Sequence, residues 1–297
     1  MPSEFELVVM IYKSRHVLGA FLESVGTNLP VLLVDNSYNE EDLSDILTGF
    51  PNVRHIDAGG NVGFSKAANV GARATTTPYL IFMNPDTQPS ESSLTSLIEY
   101  LERNPTVGAC GAAGIGTAGG GAQPTARRIL AHTLGWHRRA PLSGLYYQDV
   151  GGQHVDVEWV AGSCMAIRRE VYEAVGGFDP AYFIYMSDFD LGRRLHRAGY
   201  RQVVLGDVVV PHDDGGSSDV PSSWTWRRRG RAWTRFLRRT HSLPSALGLS
   251  SLLVAGYAIR AVAYTLSGRG TKAQELGTYG LAALQEWVSP DTGISRG

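Results

Sequence analysis

The chain has 297 residues, of which 43% are hydrophobic and 19% charged, and its formal net charge is −1. Those values belong to a folded globular protein with one large core or two moderate ones; they exclude a disordered chain, and the near-neutral balance argues against nucleic acid as a partner. Cys110 and Cys164, the two cysteines, sit in apolar or glycine-rich surroundings, which excludes a disulfide framework or a Cys-x-x-Cys metal site and suits a reducing cytosol.

The N-terminal Met1-Pro2-Ser3-Glu4-Phe5-Glu6 is acidic and has no long apolar region, so no secretory signal is expected. Leu7–Ile11 and Val31–Val34 read as buried strands, the second ending in Asp35-Asn36-Ser37. Between them Val17, Phe21, Leu22 and Val25 recur near helical spacing. Val53–Ile56 predicts a short third strand, and Asn61-Val62-Gly63-Phe64 is a turn signal before a small-residue helix over 65–74. The apolar run Tyr79–Met83 predicts a buried strand that delivers Asn84-Pro85-Asp86 to a sheet edge. Leu94, Leu97, Ile98 and Leu101 then mark an amphipathic helix. This alternation predicts an α/β fold with a mixed, mostly parallel sheet flanked by helices. Ligands of such sheets bind beyond the carboxyl ends of the strands, where Asp35 and Asp86 lie.

The seven glycines between Gly108 and Gly121 predict a mobile loop. A polar stretch with Arg127-Arg128 and Arg138-Arg139 follows, with little periodicity. Val155–Val160 alternates like one half-buried strand, and after the tight turn Ala161-Gly162-Ser163 a further strand is expected over Cys164–Ile167. Ser187-Asp188-Phe189-Asp190 opens a helix that packs through Leu191, Leu195 and Ala198. Val203–Leu205 and Val208–Val210 read as two short strands, ended by Pro211-His212. Beyond Ser223 a basic aromatic helix, with seven arginines and no acid between Arg227 and Arg239, leads into an apolar helical tail with frayed last residues. The stretch Ala246–Leu266 is interrupted by Arg260, so a clean transmembrane helix is not expected.

Few of these residues carry chemistry when taken singly. Asp86 at a strand end suits Mg²⁺ or Mn²⁺, which prefer carboxylate oxygen and keep positions for substrate phosphates; Asn-Pro-Asp is equally a plain turn. Asp188 and Asp190 could hold a general base rigidly at a helix start, or Ser187 could cap that helix with the acids complementing its dipole. His212 is a metal ligand, a phosphate donor or a solvated loop histidine. Asp35-Asn36 could bind a nucleoside or cap its own turn, and Asn61-x-Gly63 could serve only backbone geometry.

In order along one chain, these pieces resemble the family 2 glycosyltransferases with the GT-A fold, and within them bacterial rhamnosyltransferases acting on polyprenyl-diphosphate-linked acceptors. The resemblance spans about residues 5 to 240. It is carried by Val31–Asn36, Asn61–Phe64 with Asn69, Tyr79–Asp86, Trp159–Ser163, Gly176-Gly177-Phe178-Asp179, Tyr182–Leu191 and His212-x-x-Gly215-Gly216-Ser217. It implies a catalytic domain over residues 1–222, with a nucleotide-binding half at about 1–110 and an acceptor half at about 111–222, followed by a helical extension over 223–297. It implies that Tyr12, Asp35, Asn36, Asn61, Gly63, Phe64, Asn69 and Asn84 bind the nucleotide sugar, with Asp35 on the base. Asp86 stands where the family's metal-binding Asp-x-Asp motif ends, with Asn84 in place of its first acid, and His212 matches a residue that helps bind metal or diphosphate. Asp188 matches the base that deprotonates the acceptor, and Trp159, Gly162 and Asp190 fall on the acceptor side. The family's Thr-Tyr-Asn is replaced by Ile11-Tyr12-Lys13, and its Glu-Asp by Ser187-Asp188.

The expected function is therefore inverting transfer of a sugar, L-rhamnose as the best guess, from a dTDP or UDP donor to a saccharide or lipid-linked acceptor in cell-envelope glycan synthesis. The expected place is the cytoplasm, at the inner membrane face if the helix with Trp224, Trp226, Trp233, Phe236 and its arginines binds anionic headgroups; the same helix could instead pack over the active site. A dinucleotide-dependent oxidoreductase would need a Gly-x-Gly-x-x-Gly turn after the first strand, where Tyr12-Lys13-Ser14-Arg15 stands. A nucleotidyltransferase would need a glycine-rich basic loop near the N-terminus, which this sequence lacks. A non-catalytic sugar-nucleotide-binding or membrane-scaffold protein with a decayed site is the alternative that the replacements at Lys13 and Ser187 keep open.

Overall fold

Four apolar runs in the first third of the chain build half of a sheet. Strands β1 (Phe5–Ile11), β2 (Val31–Asp35), β3 (Val53–Asp57) and β4 (Tyr79–Met83) pair in parallel in the order β3-β2-β1-β4, with Leu7 opposite both Val31 and Ile81. Every residue of β1 and β2 is buried, as expected where helices cover both faces. The computed structural model describes residues 4–38, 40–115, 118–135, 145–147, 150–212 and 222–290. Arg138-Arg139, the Asp213–Ser217 part of the His212 motif and the final residues 291–297 lie outside the described residues.

The second half of the sheet adds β5 (Val107–Ile115), β7 (Val155–Val157), β9 (Cys164–Arg168) and β10 (Arg201–Pro211), giving the order β3-β2-β1-β4-β9-β5-β10-β7. Strand β9 runs antiparallel between β4 and β5, β10 is parallel to β5, and β7 closes the edge antiparallel to β10. Six of the eight strands thus point the same way, and their carboxyl ends share one rim. Helices α1 (Arg15–Val25) and α4 (Glu91–Arg103) pack on one face through Leu18, Phe21, Leu94 and Leu97. Helices α3 (Phe64–Arg73), α6 (Arg169–Ala174) and α7 (Ser187–Arg197) cover the other through Ala67, Ala68, Tyr172, Leu191 and Leu195. A single turn of helix, α2 (Ser44–Leu47), precedes β3.

Several expectations are corrected here. Among its described residues the glycine-rich segment is mostly strand: Val107–Ile115 is β5, and Gly120–Gly121 forms a short strand β6 against β8 (Trp159–Val160). Its glycines answer close approach rather than mobility, since a Cβ on Gly111 would stand 2.5 Å from Val160 Cγ1 and 3.0 Å from the Cys164 carbonyl oxygen. The stretch over 155–160 is two strands in two different sheets, β7 and β8, because the chain turns at Glu158. Residues 201–211 form one strand with an irregularity between Leu205 and Val209 rather than two strands. The segment around Arg127-Arg128 is a helix, α5 (Ala126–Thr133), whose Thr125 hydroxyl caps the Arg128 N–H.

Helices α8 (Ser222–Thr240), α9 (Leu243–Leu266) and α10 (Gly270–Val288) form the C-terminal part. Arg260 does not interrupt α9, whose continuous 24 residues are long and apolar enough to cross a membrane by length and composition alone. Helix α8 turns its aromatic residues inward. Trp233 and Phe236 are buried in a third core cluster with Trp159, Tyr182, Phe189, Tyr257 and Tyr279. Its arginines are bound too: Arg235 to Glu286 at 2.7 Å and to the Ala181 carbonyl, Arg239 to Asp179, and Arg238 to the Glu286 carbonyl. The basic aromatic helix is therefore a wall of the molecule, which is the packed reading of the two that its composition left open. Phe236→Ala should lower the unfolding free energy of the full chain by about 3–5 kcal/mol; a loss under about 1 kcal/mol in urea denaturation would mean that α8 is not part of the core.

Candidate active site

The strand ends supply one cavity of about 350 Å³ on the carboxyl rim of the sheet. Tyr12 follows β1, Asn36 follows β2, Asn84-Pro85-Asp86 follow β4, and Ala161-Gly162-Ser163 lead into the antiparallel β9. Asn61, Gly63 and Phe64 come from the turn before α3, Asp188 from the first turn of α7, and His212 from the end of β10. Ten of the fourteen residues expected at the site, Tyr12, Asn36, Asn61, Gly63, Phe64, Asn84, Asp86, Gly162, Asp188 and His212, line this single space.

Asp86 and His212 meet because the chain after β4 bridges the chain after β10. Thr87 pairs with His212, and the Gln88 N–H donates to the Pro211 carbonyl at 3.0 Å. Asp86 Oδ1 then lies 3.1 Å from His212 Nε2, while its buried Oδ2 meets no hydrogen-bond donor among the described residues. A buried carboxylate oxygen left unpaired is costly and calls for a reason. A divalent cation supplies one: an aspartate oxygen and an imidazole nitrogen suit Mg²⁺ or Mn²⁺, and no cluster of three or more His, Cys, Asp or Glu side chains exists among the described residues. The pair would hold Mg²⁺ or Mn²⁺ through Asp86 and His212, with the ion supplying Lewis-acid chemistry when bound.

Asp188 is held by an unusual backbone. Tyr185 and Met186 are both left-handed, with φ of 64° and 61°, and Met186 rather than Ser187 stands at the N-cap of α7. Two such residues in a row cost on the order of 1–3 kcal/mol each, a cost that neighbouring structure has to offset. The offset is visible: Met186 is buried, and the Phe183 carbonyl accepts the Phe64 N–H at 2.7 Å. Gly63 has φ of 83°, and a Cβ there would stand 2.4 Å from that same carbonyl oxygen. The donor-side turn and the loop before Asp188 are thereby locked together. Burial pushes the Asp188 carboxyl up to about 6, against backbone N–H groups of Phe189, Asp188 and Gly162 that pull it down.

Four expected residues stand off the cavity. Asp35 is fully buried and accepts hydrogen bonds from the Ser37 N–H at 2.6 Å and the Ser37 hydroxyl, with His55 at 3.4 Å. Burial would raise its carboxyl, but the bonds from His55 and Ser37 outweigh burial and hold it below the ordinary value. It shapes the turn that presents Asn36, whose side-chain oxygen accepts the Val62 N–H at 3.0 Å. Asn69 bonds the Phe178 carbonyl at 2.7 Å and its N–H at 3.0 Å. Asp190 pairs with Arg194 at 2.8 Å, and Arg194 in turn holds the Val175 and Gly177 carbonyls. Both residues therefore fix the 175–178 loop. Trp159 is buried, stacked on Phe189 at 4.1 Å between centroids, with its indole N–H on the Leu145 carbonyl.

Sequence reasoning missed the side of the cavity built by the C-terminal helices. Tyr185, Trp224, Thr225 and Arg229 line it. Arg229 lies 4.9 Å over the Tyr185 ring and 5.6 Å over Trp226, and Arg228 lies 4.6 Å over Phe183. The clustered arginines and tryptophans were the available signal, but composition alone does not say which way a helix faces.

The family model for glycosyl transferase family 2 matches residues 6–176. The chain belongs to glycosyl transferase family 2. A second model, glycosyl transferase family 21, matches residues 147–296. The N-acetylglucosaminyl-diphospho-decaprenol L-rhamnosyltransferase of Mycobacterium tuberculosis is 31% identical over 243 residues, 73% of this chain and 78% of that protein. Rhamnosyltransferase WbbL of Escherichia coli is 28% identical over 48% of this chain and 58% of its own length. Among solved structures, the mannosyltransferase PcManGT from Pyrobaculum calidifontis, in complex with GDP-Man and Mn²⁺, superposes with a TM-score of 0.57 at 16% identity, over 95% of this chain and 87% of that one. The fold is thus the GT-A type that the sequence predicts, the protein is a glycosyltransferase, and it is homologous to rhamnosyltransferases.

The Asp188 environment sets a test with a defined sign. A carboxyl whose folded pKa of about 6 lies above the ordinary 3.8 stabilises the folded state below about pH 4 and loses that contribution as pH rises through 6. Asp188→Asn should therefore match the wild type in stability near pH 4 and exceed it by about 1–3 kcal/mol at pH 7.5. The same substitution should nearly abolish transfer, and wild-type kcat/KM should fall tenfold per unit below about pH 6. A wild-type profile flat to pH 5 would remove Asp188 as the titrating base.

Proposed function

We propose that this protein transfers L-rhamnose, with inversion at the anomeric carbon, from a dTDP or UDP donor to a saccharide hydroxyl on a polyprenyl-diphosphate acceptor. The observation that carries the reading is the shared cavity: a raised carboxyl, Asp188, opens on the same space as the Asp86–His212 pair and the strand-end residues Tyr12, Asn36 and Asn84. The choice of sugar and acceptor leans on the rhamnosyltransferase relatives, one of which is named for a diphospho-decaprenol-linked acceptor. We assign the nucleotide half to about residues 1–110, the acceptor half to about 111–222, and the acceptor-side wall to the extension over 223–297.

The mechanism follows from the residues. Tyr12, Asn36, Asn61 and Phe64 hold the nucleoside at the ends of β1 and β2, and Asn84 orients the sugar. Asp188 takes the proton of the acceptor hydroxyl as its oxygen attacks in line. A base of pKa about 6 is ionised near neutral pH yet basic enough for the task, and positioned base catalysis is typically worth about 10²–10⁴-fold. A Mg²⁺ or Mn²⁺ ion bound by Asp86 and His212 would supply Lewis-acid stabilisation to the charge on the departing diphosphate. The solved neighbours with Mn²⁺ beside GDP-Man or UDP support that choice of cation. Asp86→Ala should cut the Mn²⁺-dependent thermal stabilisation by dTDP or UDP to under a third, while the metal-free nucleotide effect stays the same. Equal Mn²⁺-dependent shifts in the two proteins would count against Asp86 as the metal ligand.

The reaction is assigned to the cytoplasmic face of a membrane, with the outer face of α9 on the lipid. Leu243, Leu247, Ile259, Val262 and Leu266 are exposed there, and between 243 and 259 the helix carries no charged residue. Residues 223–297 hold 11 Lys and Arg against 3 Asp and Glu, whereas residues 1–222 hold 16 against 25. An apolar exposed helix on a basic segment suits an anionic bilayer surface, and the free buried cysteines suit the cytoplasm. Ile259→Asp with Val262→Asp should abolish co-sedimentation with vesicles containing anionic phospholipid, without loss of turnover on a water-soluble acceptor. Unchanged sedimentation would place the membrane contact elsewhere.

A further inference from the structure

The cavity contains a cation that the chemistry described so far does not use. Arg229 is the one guanidinium or ammonium group lining it among the described residues. We propose that Arg229 binds a phosphate oxyanion of the lipid-linked acceptor, and so selects acceptors that carry a diphosphate; this rests on the acceptor class proposed above.

Three observations support the assignment. The first is position. Arg229 lies over the Tyr185 ring, three residues before Asp188, and both Arg229 and Asp188 line the same cavity. It therefore belongs to the end of the cavity where the attacked hydroxyl sits, one sugar ring away from the acceptor's own phosphates. The second is charge. The donor diphosphate has the Asp86–His212 pair and its cation, whereas an acceptor diphosphate brought beside the Asp188 carboxylate would meet no compensating cation but Arg229 among the cavity-lining described residues. The third is geometry. Aromatic rings at 4.9 Å and 5.6 Å restrain the plane of the guanidinium before any ligand arrives. A planar fork held in that way is suited to paired hydrogen bonds from a phosphate, and the half-buried setting strengthens them.

The test uses the full chain and two acceptor probes, farnesyl-diphospho-N-acetylglucosamine and the neutral octyl N-acetylglucosaminide, with dTDP or UDP plus Mn²⁺ as a donor-side control. Binding is measured by calorimetry, so it does not depend on knowing the transferred sugar. The wild type should bind the diphosphate probe more tightly than the neutral one. Arg229→Gln should weaken the diphosphate probe by about 10- to 100-fold and erase that preference. Arg229→Lys should retain part of it. Arg227→Gln removes a neighbouring exposed cation of α8 that does not line the cavity and should keep the preference, which controls for damage to α8. Equal wild-type affinity for the two probes, or a preference that survives Arg229→Gln, would overturn the assignment. A loss in Arg229→Gln confined to dTDP or UDP would overturn it too, by placing the arginine on the donor phosphates. Wild-type protein that binds the nucleotide with Mn²⁺ but neither acceptor probe would instead sink the acceptor class itself.

Discussion

A half-buried carboxylate held at a helix start on the wall of a cavity is the constraint on which the rest of this structure depends. Asp188 could not sit at the mouth of α7 with its pKa raised to about 6 if the chain before it were free to relax. Two consecutive left-handed residues, Tyr185 and Met186, aim it, and neither is a glycine. That conformation persists because both sides are clamped. The Phe183 carbonyl is tied to the Phe64 N–H, and Arg228 and Arg229 lie over the Phe183 and Tyr185 rings. Strain at the base is thus balanced by contacts reaching from α3 and from α8, elements about 160 residues apart in sequence.

The Asp86–His212 pair depends on topology in the same way. Asp86 and His212 are far apart in the chain, and neither carries a local signal that names the other. They meet because β9 enters antiparallel between β4 and β5, which lets β10 run parallel to β5 and end on the rim that β4 also reaches. The Thr87–His212 bridge then fixes the separation. An inserted antiparallel strand therefore does the work that a continuous Asp-x-Asp motif does by local geometry, and Asn84 can stand in place of the first acid.

The parallel half of the sheet was legible because its signal is local: Tyr79–Met83 is an unbroken apolar run and became β4 without change of boundary. The glycine-rich β5 was not legible, because its need for glycine comes from Val160 and Cys164, which lie about 50 residues downstream. Ten of the expected residues line one cavity because strand ends and helix starts place them whatever the packing. Asp35, Asn69, Trp159 and Asp190 stand off that cavity for a common reason. Each occupies a motif position, but motifs also record scaffold, and these side chains hold turns and loops. Lys13 makes the complementary point: its φ of 51° lies in a region that asparagine tolerates better, so the residue that the family prefers there answers a backbone demand. Its ammonium pairs with Glu40 at 3.3 Å on the surface.

The C-terminal helices decide how much of this is one machine. Helix α8 presents Trp233 and Phe236 to the core, Arg235 and Arg239 to the scaffold, and Arg229 to the cavity, so one helix couples folding, wall and charge. A helix with those three duties cannot also lay its aromatic face in a bilayer, since the same rings would have to leave the core, at a cost of several kcal/mol each. The lipid-facing role proposed above is given instead to α9, whose outer side is apolar and carries no charge over most of its length. That separation has a consequence for access. A surface that rests on lipid through α9 keeps α8 beside it, and so keeps the acceptor-side wall of the cavity close to the headgroups, while the nucleotide-binding strand ends of β1 and β2 stay in the acidic part of the chain. Under the proposed function the two substrates would approach from different phases, and the opposite charges of the two segments, −9 over residues 1–222 and +8 over 223–297, would orient the molecule on an anionic surface before either one binds.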